Sequence, residues 1–191
     1  AVMPPYEHDA GNCTCAGKAS TSKATTYYSN KAEAFRAANA DKEIVEQADY
    51  DTLLGINRAL LRSERAREYL SERGQAEVSL VWIDPETELL CKARADYINS
   101  GINDLKSCVD AAEFSKSIAS YGYHRQGAYY QAGYAILTGE IKPFRLIAAV
   151  KTSPYGVRAA PLSEEALAVG EGEVRELLRL IADAYETNEW P

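Results

Sequence analysis

The sequence predicts an α/β protein: a mixed central sheet in the order helix, three-strand meander, helix, strand, flanked by helices. Three observations carry this. Between residues 76 and 107, three runs of strand-like composition are separated by two turn-forming clusters, Asp84-Pro85-Glu86-Thr87 and Asn99-Ser100-Gly101. Residues 110–139 then change to helical character. Pro143–Val150, PFRLIAAV, is apolar enough for a strand buried on both faces. Three hairpin-linked strands, a crossover helix and a buried strand make a mixed sheet with helices packed on it.

The chain has 191 residues, enough for a domain with a full core, and its 46% apolar share argues against disorder. No apolar run approaches membrane-spanning length, so no membrane partner is expected, and no signal-peptide pattern opens the chain. Cys13, Cys15, Cys91 and Cys108 suggest no disulfide framework, and a reducing cytoplasmic location follows as the expectation. The net charge of −7 argues at first sight against nucleic acid. The charge is uneven, however: residues 91–158 hold 9 basic and 5 acidic side chains, a local sum of +4. A local positive field can hold a phosphate backbone on an acidic protein, although chance clustering produces the same pattern.

Residues 1–28 read as irregular, being rich in Pro, Gly, Ser and Thr without an apolar period, and residues 29–191 read as a single domain. His8, Cys13 and Cys15 have a spacing that suggests zinc, but a fourth ligand is missing. The chain opens without an initiator methionine, as a fragment or a processed product would. Ser29 is placed to cap a helix over 30–39, and Asp49 a longer one running to about Arg73 and stopped by Gly74. Leu53, Ile56, Leu60 and Leu61 share one side of that helix, while Arg58, Arg62 and Arg65 form a basic stripe that is foremost a solvated face.

Strands follow at Ala76–Asp84, Glu88–Ile98 and Ile102–Ser107. Asp110 and Glu113 have the spacing of a capping box for the next helix, which Tyr121-Gly122 interrupts. A second helix runs from about His124 to Leu137 and ends at Gly139, and a closing helix from about Ser163 to Thr187.

The chemistry is concentrated in Lys92–Lys106, KARADYINSGINDLK. With Asn99-Ser100-Gly101 as the loop, Ile98 faces Ile102, Asp96 faces Asp104 and Arg94 faces Lys106, all four charged residues sharing one face while Leu105 takes the other. Facing carboxylates repel unless a cation lies between them. Magnesium prefers oxygen ligands and binds through one or two carboxylates plus waters. Asp96 and Asp104 supply the carboxylates, and the main-chain carbonyl of Leu105 a further oxygen. Lys106 lies two residues from Asp104 on its face, placed to orient a water or to stabilise charge on phosphate oxygens. Arg94 either holds Asp96 or contacts phosphate. His124, two positions from Gln126, points elsewhere on its helix and reads as a hydrogen-bonded structural histidine.

Asp96, a short loop, then Asp104-Leu105-Lys106 resembles the core motif of the PD-(D/E)xK nucleases, in which proline-aspartate precedes a hairpin and Asp/Glu-x-Lys. Ala95 stands where that motif has proline, which removes a backbone constraint but no ligand. Gln126 and Tyr130, four apart on one helix face, look like the Gln-x-x-x-Tyr helix of the RecB-like branch. The phrases DPETELLCKARADY, DLKS, YGYHRQGAYYQAGY and the closing NEWP resemble RecE-type exodeoxyribonucleases of phages and prophages (exodeoxyribonuclease VIII-like). The resemblance covers residues 40–191 and implies a restriction-endonuclease-like core.

It also implies a site: Asp96, Asp104 and Lys106 as catalytic residues, with Glu77, Gln126 and Tyr130 beside them. Mg²⁺, with Mn²⁺ as the alternative, would be held by Asp96, Asp104 and Leu105, and DNA contacted by Arg94, Lys92 and Arg125. Such nucleases usually carry a metal-binding histidine on a helix well upstream; the chain begins after that point, and His8 does not inherit the role. The implied activity is a 5′-to-3′ exonuclease on linear duplex DNA in phage-type recombination, with a single-strand annealing protein as partner and a homo-oligomeric assembly. The alternatives are a non-catalytic DNA-binding or assembly module on the same fold and a structure-selective endonuclease.

Overall fold

The structure is a computed structural model that describes residues 26–190. His8, Cys13 and Cys15 lie outside the described residues. The chain divides into two compact units, Ala1–Gly55 and Ile56–Pro191.

In the first unit, α1 spans Thr26–Ala38, so Ser29 lies inside the helix instead of capping it at 30. The helix closes where the Asn39 side chain donates to the Phe35 carbonyl at 2.9 Å, satisfying an end carbonyl. The second helix, α2 (Gln47–Arg62), begins in this unit with Asp49 in its first turn. None of its residues is buried, and Leu53 and Leu61 on the expected apolar side are exposed.

The expected helix from Asp49 to Arg73 is two helices. Ser63 takes an extended conformation and its hydroxyl accepts from the Ala66 amide, which starts α3 (Glu64–Ser71). A serine side chain competes with the helix for backbone bonds and is favoured as a cap, so it breaks a periodic run that apolar spacing alone would continue.

Five strands form one sheet in the order β1-β2-β3-β4-β5: Gln75–Ile83, Leu90–Ile98, Ile102–Cys108, Phe144–Val150 and Val157–Pro161. The first three form the expected antiparallel meander, and β4 joins β3 in parallel after the crossover through α4 (Phe114–Ser120) and α5 (Tyr123–Thr138). β5 adds a fifth strand beyond the four expected; its VRAAP has little side-chain bulk and no alternation, and it is defined by pairing antiparallel with β4. β4 therefore lies inside the sheet, and its faces are both covered. Leu146 and Ala148 join the core beneath α5 and α6 (Glu164–Thr187), while Ile147 packs with Ala66 and Tyr69 of α3 on the other side.

The expected Asp110/Glu113 capping box does not form. Glu113 precedes α4 without a side-chain cap, and Asp110 instead accepts from the Ala112 amide at 2.8 Å. The short local bond of an Asx turn competes with the longer reach to a helix start. At the β1–β2 turn, Asp84 is fully buried. It accepts from the Thr87 amide and hydroxyl at 3.0 and 2.8 Å and meets the Arg175 guanidinium of α6 at 2.6 Å. Sheet and closing helix are thereby fastened by charge as well as by the apolar core.

Candidate active site

The site is built where β2 and β3 part. Their ladder has only the Ile98–Ile102 and Tyr97–Asn103 pairs, although both strands continue beyond it. The Asn99-Ser100-Gly101 turn sets the first pair, as the loop chemistry predicts. The fully buried Asn103 replaces further ladder bonds with its side-chain amide, which donates to Asn99 Oδ1 at 2.9 Å and to the Tyr97 and Gly101 carbonyls at 3.2 Å. Meanwhile β3 remains paired with β4 along its whole length, so β3 is held and β2 swings away.

The gap exposes main-chain groups of β3 that have lost a partner strand. Asp96 fills that role: its Oδ2 accepts from the Leu105 amide at 2.8 Å. In an extended strand the amide and carbonyl of one residue point to the same edge, so the Leu105 carbonyl is directed into this gap too. Asp104 is 2% exposed on β3 and faces α5. Gln126 Nε2 of α5 donates to its Oδ1 at 2.7 Å. Lys106 Nζ lies 2.6 Å from its Oδ2, and the same ammonium sits 4.8 Å above the centre of the Tyr123 ring. Oδ2 has this charge contact but accepts no well-directed hydrogen bond. Burial raises the Asp104 carboxyl above the ordinary aspartate range; the adjacent Asp96 adds to the rise, and Lys106 and Gln126 oppose it without cancelling it.

The structure therefore brings Asp96, Asp104, Lys106 and Gln126 together. Tyr130, one turn beyond Gln126, presents its ring edge-on to Phe144 at 6.0 Å and packs on the core. Glu77 lies within β1 between the Ala76–Tyr97 and Val78–Ala95 pairs, across from Asp96, at a φ of 55° where the pairing with β2 skips a position. Its carboxylate goes to Arg94 at 2.6 Å, both side chains being largely exposed. Arg94 is thus held by Glu77, neither by Asp96 nor opposite Lys106, because the β2–β3 ladder ends before reaching either. Lys92 is exposed on the same strand. Arg125 points to α6, where it pairs with Glu173 at 3.4 Å, and His124 contacts the same carboxylate at 3.1 Å. Ala95 is fully buried against the core, so its position packs the sheet.

Residues 10–191 match the family described as a PDDEXK-like domain of unknown function (DUF3799). The chain belongs to this family. The fold of this PDDEXK-like domain is also that of a crystal structure from Eubacterium rectale named "Putative exonuclease", with 21% identity and a TM-score of 0.60. The alignment covers 87% of this chain and 65% of that one, so the chain spans about two thirds of the structure it resembles. A comparison with curated protein sequences finds no match.

The residues present in this PDDEXK-like domain fit a divalent cation. No group of three or more His, Cys, Asp or Glu side chains is gathered for a metal among the described residues. The donors would instead be the two carboxylates of Asp96 and Asp104 and the main-chain oxygen of Leu105. An all-oxygen set with few protein ligands suits Mg²⁺, which keeps several waters, better than zinc. A buried carboxylate with a raised pKa and an undersatisfied oxygen would gain from a cation.

Two residues escaped the sequence reading. Asn103 ends the ladder, and nothing in a strand-like run marks an asparagine for that task. Tyr123, beneath Lys106, lies three residues before Gln126 and hence on the same helix face; that spacing was the available signal.

Proposed function

We propose that this PDDEXK-like domain is a divalent-metal-dependent deoxyribonuclease. By its resemblance to the RecE-type enzymes, it acts as a 5′-to-3′ exonuclease on linear duplex DNA, in phage-type recombination with a single-strand annealing protein and as a homo-oligomer. The observation that carries the reading is the Asp104 carboxylate, buried between Lys106 and Gln126 and faced by Asp96 across the opened strands.

Gln126 fixes the rotation of the Asp104 carboxylate, and Asp96 is fixed by the Leu105 amide. Preorganised groups of this kind need no rearrangement when charge develops. Asp96, Asp104 and the Leu105 carbonyl would hold Mg²⁺, or Mn²⁺ in its place. Bound there, the ion would acidify a water and neutralise charge on the scissile phosphate. The Lys106 ammonium, held by Asp104 and the Tyr123 ring, donates to a phosphate oxygen or orients the attacking water.

The test is digestion of linear and circular duplex DNA with and without Mg²⁺, alongside Asp104→Ala and Lys106→Ala. Metal-dependent release of mononucleotides from linear ends, reduced about 10²–10³-fold or more in either variant, supports the proposal. Intact linear duplex in the presence of metal counts against a nuclease, and internal cuts in circular DNA count against an exonuclease.

A further inference from the structure

A second cleft opens beside the catalytic lysine, at the end of β3. It has a volume of about 410 Å³ and is lined by aromatic rings and a lysine: Phe114, Tyr121, Tyr123 and Lys151. Tyr123 is the shared wall. Lys106 lies over its ring at 4.8 Å, while Phe114 stacks with it at 5.9 Å and Tyr121 meets it at 5.7 Å. Tyr121 is 71% exposed, a large ring held at the rim instead of in the core.

The carboxylates of Asp110 and Glu113 also line the cleft. Asp110 is hydrogen-bonded to the Ala112 amide and Glu113 is ion-paired with Lys116, so neither balances Lys151 directly. Carboxylates on the wall disfavour a phosphate inside. Flat aromatic surface favours a planar ring, and acidic oxygens accept from exocyclic amino groups. Lys151 lines the cleft and Lys106 stands over its Tyr123 wall, two cations for the backbone charge of a strand passing through the catalytic gap. Base stacking on exposed aromatics beside basic residues is how proteins hold single strands without reading sequence.

We propose that this cleft is a subsite for an unpaired nucleobase adjoining the scissile phosphate, with Tyr121 as its stacking platform. This rests on the nuclease reading of the neighbouring site. The subsite holds a base splayed from its partner, so that the phosphate beside it is presented to Lys106. Tyr121 is a positioning residue: it touches the base and leaves the reacting phosphate to the catalytic gap.

The test measures binding in EDTA, where no metal-dependent cleavage occurs. Fluorescence anisotropy compares a short single-stranded oligodeoxycytidylate, whose bases carry an exocyclic amino group, with its abasic counterpart. Wild-type protein should bind the base-bearing strand roughly tenfold more tightly. Tyr121→Ala should abolish that difference, and Tyr121→Phe, which keeps the ring, should retain it. Circular dichroism checks that the exposed substitution leaves the fold intact. Equal binding of both strands by the wild type, or an unchanged preference in Tyr121→Ala, overturns the subsite; a protein side chain as the true occupant gives the same result. Hydrolysis of duplex DNA without a base preference removes the subsite alone. A base preference without metal-dependent hydrolysis removes the nuclease reading alone.

Discussion

Asp96 and Leu105 are joined across the gap between β2 and β3: the carboxylate accepts from the main-chain amide at 2.8 Å, in place of a strand that has turned away. The hydrogen bond and the charge of Asp96 can therefore be separated. Asp96→Asn retains an acceptor oxygen and should change unfolding free energy by less than about 0.5 kcal/mol. Asp96→Ala leaves the Leu105 amide without that acceptor and should cost about 1 kcal/mol. Both should lose metal-dependent hydrolysis. Urea unfolding of the two variants, set against DNA digestion, distinguishes the roles.

Asp104 makes the unliganded site costly. Its carboxyl is raised, first by burial, so the folded chain binds its proton more tightly than the unfolded chain does. By linkage, this group removes stability as pH rises from the ordinary aspartate range through the raised value. A cation on the ionised carboxylate opposes the loss. Millimolar Mg²⁺ should therefore raise the melting temperature at neutral pH, and the increment should shrink as acid returns the proton. Asp104→Asn should melt at or above the wild-type temperature without metal and show no Mg²⁺ increment. Differential scanning calorimetry across pH reads both effects.

Arg175 compensates the Asp84 charge. Burial works to raise the Asp84 carboxyl, but bonds from Arg175 and Thr87 outweigh it and hold the group below the ordinary range. A lowered carboxyl contributes stability above its unfolded pKa, and the contribution is lost as pH falls through the folded value. Arg175→Met should destabilise the protein at pH 7 by about 3 kcal/mol, because Asp84 is left buried without its cation. The loss of stability in acid that Asp84 carries should shrink or reverse, because protonation then relieves a buried carboxylate that burial alone pushes upward. The paired change Asp84→Asn with Arg175→Met should recover part of the loss in denaturant titrations.

Gly170 sets the distance between α5 and α6. A Cβ there would fall on the His124 carbonyl oxygen, a main-chain atom with no freedom to move aside. Alanine is intrinsically the better helix former by about 1 kcal/mol. Overpacking costs about 1–3 kcal/mol, and against rigid backbone the upper part of that range applies. Gly170→Ala should therefore lower stability despite the gain in propensity, whereas Gly172→Ala, which meets nothing, should raise it. Melting temperatures of the two variants should move in opposite directions.

The places where the sequence was legible share a property. The turn at Asn99-Ser100-Gly101, the glycine end of α5 and the start of α6 near Ser163 are decided within a few residues, and each has the expected place. The Ile98–Ile102 register follows from the turn alone. Local chemistry also misled: the spacing of Asp110 and Glu113 suits a capping box, but a shorter bond to Ala112 prevails. The smooth apolar period from α2 into α3 concealed the break at Ser63, where one hydroxyl outweighs periodicity.

By itself the sequence determined the α/β layering, the meander and the shared face of Asp104 and Lys106, because short-range turn chemistry and side-chain period are written residue by residue; Gln126 was placed beside them by the family resemblance alone. Only the tertiary structure decided where β2 leaves β3, that Arg94 serves Glu77, and that Asp84 waits for Arg175 on a helix ninety-one residues later. Those outcomes depend on which surfaces compete for one carboxylate or one strand edge once the chain is packed. That competition is settled by distance in space, for which order along the chain holds no measure.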